Sequence, residues 1–472
     1  MIEYMTKPPR RPRWRWVLLV CLVVLLVPAL VIGINAVELR QQRDAPAGAT
    51  VSPSPTPTPS PSPSPTPVPI PDPDAACLSA AINAVQPTAT GTLTGKAIGL
   101  QSQQVLWDVN STQPMTPASN EKLLTVMSLI TALGPNALVT TYKTSVVAGD
   151  GDKIVLVGGG DPYLASNGST ATLGQPQTLD DLAAATATAL QATGRTSVSL
   201  GFDDTAFSGP DWHPSWAGAL ADSVTRISAL WVDEGMSPSP ATTQQGMAFR
   251  SKTAAYSAAK VFASQLQAHG IQVTGVDSTG AVAPAGQTLA SIDSMPLGEI
   301  IDYTLQMSDN SAAEVLLRHL AITTGAPGTF DAGAAAVMSW LNAANLAEPG
   351  INIVDGSGLS SQDAVPTATL LGVITWAVQH GGAPQQIVAG LPVSGYSGTL
   401  SDRFNGTATA ARGFVHAKTG YLDGFAASLT GYAVTAKGQE VAFSVIINGP
   451  GGFNATRTWL DNVAAAIVTS GC

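Results

Sequence analysis

From Pro53 to Pro73 every odd position is proline, and the residues between are mostly Ser and Thr. Proline has no backbone N–H for a helix or a sheet ladder, so this stretch extends as polyproline II. At about 3.1 Å per residue it reaches ~65 Å and acts as a spacer. A docking strip for a proline-recognition domain and a carrier of O-linked sugar are the alternatives. The spacer divides the chain. Upstream lies a short segment, and downstream lie roughly 395 residues, ample for a sizeable core without disulfide staples.

The upstream segment reads as a membrane anchor. Trp16 to Val37 is almost wholly apolar, with 18 uninterrupted residues from Val17 to Ile34. As a helix that run spans ~27 Å, close to the hydrocarbon thickness. Lys7, Arg10, Arg11, Arg13 and Arg15 precede it, which keeps the N-terminus cytoplasmic and puts the body outside. A cleaved signal peptide with a secreted body is the competing reading. The length of the run, and the want of a small-x-small cleavage site directly after it, favour the anchor. The organisation is therefore a basic cytoplasmic tail (1–15), a transmembrane anchor (16–37) and a Pro/Ser/Thr-rich linker (46–74). The folded body follows.

Residues 1–45 hold seven Lys/Arg against three acids, so the rest of a chain with net charge −10 carries −14. An acidic body without a basic run has no footprint for phosphate backbones, and nucleic-acid binding is excluded. The body reads helices first and strands late. Val105–Val109 and Ile154–Val157 are short strands. Asn120–Leu133, Leu179–Thr193 and Ala254–His269 are helices, and Leu297–Thr323 supplies two more around Ser308-Asp309-Asn310. Val415–Lys418, Ala426–Val434 and Glu440–Asn448 read as sequential antiparallel strands, followed by a helix over Thr456–Thr469. The fold class is α+β, a helical cluster packed on an antiparallel sheet. Three cysteines are too few for a disulfide framework or a cysteine-rich metal site. In an exported body, pairing Cys77 with Cys472 would tie the first folded residues to the last; two unrelated free thiols are the alternative.

Three short motifs carry chemistry. In Ser119-Asn120-Glu121-Lys122, a helix opening at Ser119 puts Lys122 one turn later on the same face, within reach of the hydroxyl. Serine needs a neighbouring base, and lysine serves as one only when burial or a second cation makes its neutral form accessible. Ser-x-x-Lys alone is weak; Ser257-Ala258-Ala259-Lys260 repeats it on an ordinary Ala-rich helix. In Ser308-Asp309-Asn310, a hydroxyl and a carboxamide on a tight connection can face one cleft, while Ser and Asp also suit a helix N-cap. In Lys418-Thr419-Gly420, at a strand end before Tyr421, a cation and a hydroxyl suit a carboxylate, and glycine lets a ligand approach the backbone.

Together, in this order, the three resemble the signature of penicillin-binding proteins and serine β-lactamases. Gly158-Gly159-Gly160-Asp161-Pro162, Asp355-Gly356-Ser357-Gly358-Leu359-Ser360 and Leu391-Pro392-Val393 narrow the resemblance. Over almost all of 77–472 the chain is similar to the D-alanyl-D-alanine carboxypeptidase/endopeptidase family, the class C low-molecular-mass penicillin-binding proteins. That resemblance implies a penicillin-binding/serine β-lactamase-like fold, formed by 75–140 and 276–472, with an inserted domain at 141–275 and any further nested domain absent or reduced. It implies that Ser119 is acylated by peptidoglycan stem peptides or β-lactam antibiotics and that Lys122 is the base. Ser308 and Asn310 would relay protons and orient substrate, and Lys418 and Thr419 would hold the terminal carboxylate on a substrate-binding strand that continues through Gly420 and Tyr421. The backbone N–H groups of Ser119 and Tyr421 would form the oxyanion hole, at roughly 3 kcal/mol per donor.

No cofactor or metal is implied. His213, His269, His319, His380 and His416 lack paired ligand spacing, and protein partners stay open. Trp212-His213-Pro214-Ser215-Trp216 with Asp203-Asp204 resembles a carbohydrate-contacting cluster, although aromatic packing inside the insert is the safer reading, and Asp161 after three glycines reads equally as a ligand contact or as part of a tight turn. A β-lactamase is the second reading, against which no Glu-x-x-x-Asn lies between the second and third motifs. A catalytically silent scaffold that keeps the fold is the third.

Overall fold

Glu440–Asn448 is apolar at odd and even positions alike, and a strand of that kind must be covered on both faces. A computed structural model describes residues 70–85, 90–170, 176–216, 218–237, 249–449 and 451–472. The expected tail and anchor, and nearly all of the linker, lie outside the described residues.

The body begins with helix α1 (Ala75–Asn83), strands β1 (Thr92–Gly99), β2 (Val105–Val109) and β3 (Pro114–Met115), and helix α2 (Glu121–Leu133). The chain then leaves for a second sheet. Its strands are β4 (Lys143–Ala148), β5 (Lys153–Val157), β6 (Ser197–Asp203), β9 (Gln272–Val276) and β10 (Thr288–Asp293). Helices α3 (Leu179–Ala192) and α4 (Ala254–Ala268) pack on it, and β7 (Met236–Ser237) pairs with β8 (Phe249–Arg250) beside it. Helices α5 (Leu297–Met307), α6 (Asn310–Thr323) and α7 (Phe330–Ala343), strand β11 (Val365–Pro366), and helices α8 (Thr367–His380) and α9 (Gly382–Ala389) follow. The chain closes with β12 (Val415–Leu422), β13 (Ala426–Val434), β14 (Glu440–Asn448) and α10 (Phe453–Thr469).

The main sheet is antiparallel in the order β12-β13-β14-β1-β2, so strands from both ends of the body share one layer. Its two faces divide by parity. Ile98, Ala442 and Ile446 face the helical cluster of α2 and α5–α9, whereas Ala97, Phe443, Val445 and Ile447 face α1 and α10. Full burial of a side chain such as Phe443 contributes about 1.5–3 kcal/mol, which is why the late strands cannot tolerate a wet face. Cys77 on α1 and Cys472 after α10 form a disulfide on that same side, Cα–Cα 5.7 Å.

Helix α2 is the axis of the cluster, with all ten residues from Glu121 to Ile130 buried, and it stops at Gly134 with φ +74°. The stretch Ala118–Val139 is long and apolar enough to cross a membrane by length and composition. Its surroundings are protein, and its apolarity is that of a core helix.

The insert ends later than 275. Strand β10 pairs antiparallel with β4, Asp293 opposite Lys143, so exit and return lie side by side and the boundary falls near Ser294. The tryptophan cluster is a second correction. Trp216 does not pack inside the insert; it is buried against Phe330 of α7, and its Nε1 donates to Asp355 Oδ2 at 2.7 Å. Gly158-Gly159-Gly160 lies at the junction. A Cβ on Gly160 would stand 2.5 Å from the His319 Nε2 of α6, and Asp161 Oδ1 accepts the Tyr163 N–H at 2.9 Å in a turn.

Candidate active site

Ser119 lies in a single 3-10 turn, Ala118–Asn120, that feeds α2. Ala118 before it has φ +48°, and Ser308, closing α5, has φ +59°. A left-handed conformation at a non-glycine residue costs of order 1 kcal/mol and persists where surrounding structure imposes it. Here it presents one hydroxyl from the helix end and another from the loop to the same cleft.

The turn is held from behind by the sheet. Ser428 Oγ on β13 donates to the Pro117 carbonyl at 2.6 Å, and Asn120 Nδ2 donates to Ser428 Oγ. Gly420 on β12 lies flat against it, and a Cβ there would meet Pro117 O at 2.8 Å and Ser119 N at 3.1 Å. Strand β12 therefore runs straight through Lys418-Thr419-Gly420 to Leu422, whereas the sequence reading ended it at Lys418.

Lys122 Nζ is 3.0 Å from Ser119 Oγ, 2.7 Å from Asn310 Oδ1 and 2.8 Å from the Ser357 carbonyl oxygen. Burial pushes its ammonium down to about 8, against Glu314, Asp355, Asp309 and Glu121, which pull the other way. Desolvation wins, and an appreciable neutral fraction results at ordinary pH. On the other side, Lys418 Nζ donates to Ser308 Oγ at 2.8 Å and to the Thr419 carbonyl at 2.7 Å. Burial, reinforced by Lys122, holds it well below the usual lysine range. Thr419 Oγ1 bonds Thr399 Oγ1 at 2.8 Å.

Asn310 opens α6, with Asp309 as N-cap accepting the Ala312 N–H at 3.0 Å. Its Nδ2 donates to the Ser223 carbonyl at 3.0 Å. Ser119, Ser308, Asn310, Thr419, Gly420 and Tyr421 line one cleft of about 380 Å³. Lys122 and Lys418, both fully buried, lie behind two of these residues, bonded to Ser119 and Ser308. The arrangement offers a hydroxyl next to a partly neutral amine, a second hydroxyl on a second amine, and a strand along which a peptide can lie. That suits acyl transfer through a serine ester.

Several contributors escaped the sequence reading. The Ser357 carbonyl and the Ser223 carbonyl are backbone atoms, which no residue pattern announces. Glu314, buried on α6, accepts N–H groups of Gly356 and Ser357. Its one signal is the spacing of four from Asn310, which places both on one helix face. The remaining candidates are occupied elsewhere. Ser257 bonds Ser251 at 3.0 Å on α4, and Lys260 lies over Tyr256. His269 bonds Asp180, His319 the Gly160 carbonyl, His380 the Trp376 carbonyl and His213 Ser215, and His416 stacks on Tyr432. Among the described residues no group of His, Cys, Asp and Glu could hold a metal ion.

The sequence matches the model of the D-Ala-D-Ala carboxypeptidase 3 (S13) family over 78–247 and 237–468. It is 32% identical over 391 residues to Carboxypeptidase DacB of Mycolicibacterium smegmatis, covering 81% of each chain. It is 37% identical over 206 residues to the D-alanyl-D-alanine carboxypeptidase of an Actinomadura species, 41% of this chain and 37% of that one. The fold is similar to the crystal structure of penicillin binding protein 4 (dacB) from Haemophilus influenzae. There the TM-score is 0.66 at 21% identity, over 82% of this chain and 97% of the other.

Proposed function

Since the chain belongs to the D-Ala-D-Ala carboxypeptidase 3 (S13) family, we propose that Ser119 is the residue through which it cleaves peptidoglycan stem peptides. As a serine-type D-Ala-D-Ala carboxypeptidase it works through an acyl-enzyme, and β-lactams acylate the same centre. Neutral Lys122 takes the Ser119 proton while Oγ attacks the carbonyl carbon of the penultimate D-Ala. The peptide C–N bond breaks, and the proton taken by Lys122 passes through Ser308 to the leaving D-Ala nitrogen. Water then hydrolyses the ester as Lys122 takes its proton and returns it to Ser119 Oγ. Asn310 orients lysine and substrate, and Lys418 and Thr419 hold the terminal carboxylate with Gly420 clearing the strand edge. The N–H groups of Ser119 and Tyr421 stabilise the oxyanion.

The single observation that carries this reading is the 3.0 Å contact from Lys122 Nζ to Ser119 Oγ beside a second buried amine. Labelling with a fluorescent penicillin tests it. The parent takes up one label per chain, and Ser119→Ala takes up none; equal labelling of the two would remove Ser119 from the reaction. Digestion of purified sacculi, with products identified by mass, measures D-Ala release.

The envelope location of the substrate fits the expected topology. In this reading residues 16–37 anchor the protein in the membrane and 46–74 hold the body out towards the wall polymer. Fractionation tests it: full-length protein pelleting with membranes and released only by detergent supports the anchor, and protein in the soluble fraction overturns it.

A further inference from the structure

A neutral lysine amine has two N–H bonds and one lone pair. Lys122 Nζ faces two atoms that can only accept, Asn310 Oδ1 and the Ser357 carbonyl oxygen. Together they use both N–H bonds, and the lone pair is left for the Ser119 proton. The aim of the base thus depends on where the Ser357 carbonyl is held.

That carbonyl belongs to a loop gripped by two buried carboxylates. Glu314 accepts the Ser357 N–H at 2.8 Å and the Gly356 N–H at 3.1 Å. Asp355 accepts Ser357 N at 3.1 Å, Gly358 N at 2.6 Å and Ser360 N at 2.7 Å, besides the Trp216 indole. Thr125 Oγ1 on α2 donates to the Gly356 carbonyl at 2.9 Å. Glu314 comes from the same face of α6 as Asn310. One helix therefore supplies the lysine with its first acceptor directly and fixes its second through the loop. We propose that Glu314 is a positioning residue for the base: by binding the Gly356 and Ser357 amides it sets the Ser357 carbonyl on Lys122 and so directs the lone pair at Ser119. The inference deepens the reaction proposed above and rests on Lys122 being its base.

Glu121 provides the control. It is fully buried near the same lysine, yet neither of its carboxyl oxygens has a hydrogen-bond partner in the structure. Burial pushes the carboxyls of both acids up, Glu314 to about 8 and Glu121 well above the usual range; Asp309 and Asp355 also face the lysine, and Lys418 is the cation opposite it. Only Glu314 also holds the loop. A glutamine at 314 has one acceptor oxygen and turns an NH2 towards the loop amides, so at most part of the grip survives.

The experiment follows acylation of the full-length protein by benzylpenicillin against concentration and pH, with rates normalised to the penicillin bound at completion. Glu314→Gln is expected to lower the limiting acylation rate on the alkaline plateau by about 10-fold or more, as displacement of a reacting group does. The penicillin concentration at half-maximal rate should stay within about two-fold of the parent, where a general loosening of the cleft would move both constants. Burial holds the Glu121 carboxyl well above the usual carboxylate range, so Glu121→Gln exchanges one buried neutral group for another and is expected to keep the plateau rate. Should Glu314→Gln fail to fold, Glu314→Asp, one methylene short of the loop, is read for the same plateau loss. A plateau equal to the parent's, or an equal loss in Glu121→Gln, overturns the inference. Acylation retained by Lys122→Arg would instead overturn the underlying reaction, so the two failures are distinguishable.

Discussion

Asn310 and Ser223 are joined by a hydrogen bond of 3.0 Å, from the Asn310 side-chain amide to the Ser223 carbonyl. The bond fixes which end of the carboxamide faces Lys122, because only the oxygen end can then accept from Nζ. Asn310→Asp keeps the shape but turns an acceptor on the Ser223 carbonyl and places a carboxylate beside the lysine. A new anion favours the ammonium form, so the acid limb of the acylation profile should move to higher pH. At pH 7 the labelling rate should fall by about 10-fold or more, given general-base contributions of 10²–10⁴. Stopped-flow acylation of the two proteins checks both.

Lys122 titrates near 8 because burial outweighs its acidic neighbours. As the proposed base, Lys122 is competent only when neutral, so acylation should rise with pH through a midpoint near 8 and level off above it. Lys122→Arg should nearly abolish acylation across the range, since a guanidinium remains protonated. A pH series with fluorescent penicillin measures this.

Gly420 leaves no room for a methyl group between β12 and the Ser119 turn, where it would meet first the supporting Ser428 Oγ and then Pro117 O at 2.8 Å. Gly420→Ala should displace that turn, at a stability cost of about 1–3 kcal/mol typical of overpacking. Penicillin labelling should drop by more than about 10-fold, the penalty for moving a reacting group by a fraction of a turn. Denaturant unfolding and labelling, run in parallel, check the pair of outcomes.

The Cys77–Cys472 bond closes a loop of 395 residues. Cys472→Ser should cost about 2–4 kcal/mol of stability, since a cross-link over a long loop restricts the unfolded chain most. The cleft takes Phe453, Arg457 and Leu460 from the first half of α10, whereas Cys472 follows that helix's C-terminal end, so labelling at 25 °C should be kept. Urea titration with and without reductant checks this: the parent should fall to the variant's midpoint when reduced.

The three motifs were legible because each needs particular side chains at fixed short spacings, and those spacings survive any tertiary arrangement. Ser119 and Lys122 are three apart, and Ser308 and Asn310 straddle a helix junction that the Ser-Asp-Asn pattern marks. The grip on the lysine was not legible, because the Ser357 and Ser223 carbonyls carry no residue signature and Glu314 reads as one more polar position in a helix. The end of the insert was missed for another reason. Strand β10 is short and half-exposed, and its partner β4 lies about 140 residues earlier. Local aromatic spacing places Trp216 in the insert, but spacing does not say which core a connecting segment returns to.

The sheet that carries Lys418 takes its neighbours from opposite ends of the body, with Thr92–Gly99 hydrogen-bonded to Glu440–Asn448. An emerging polypeptide cannot complete that pairing until the last tenth of its chain has been synthesised. Until then β1 and β2 wait as an unfinished edge, open to off-pathway association. Activity should therefore appear only once the last strands of the chain have been made and paired.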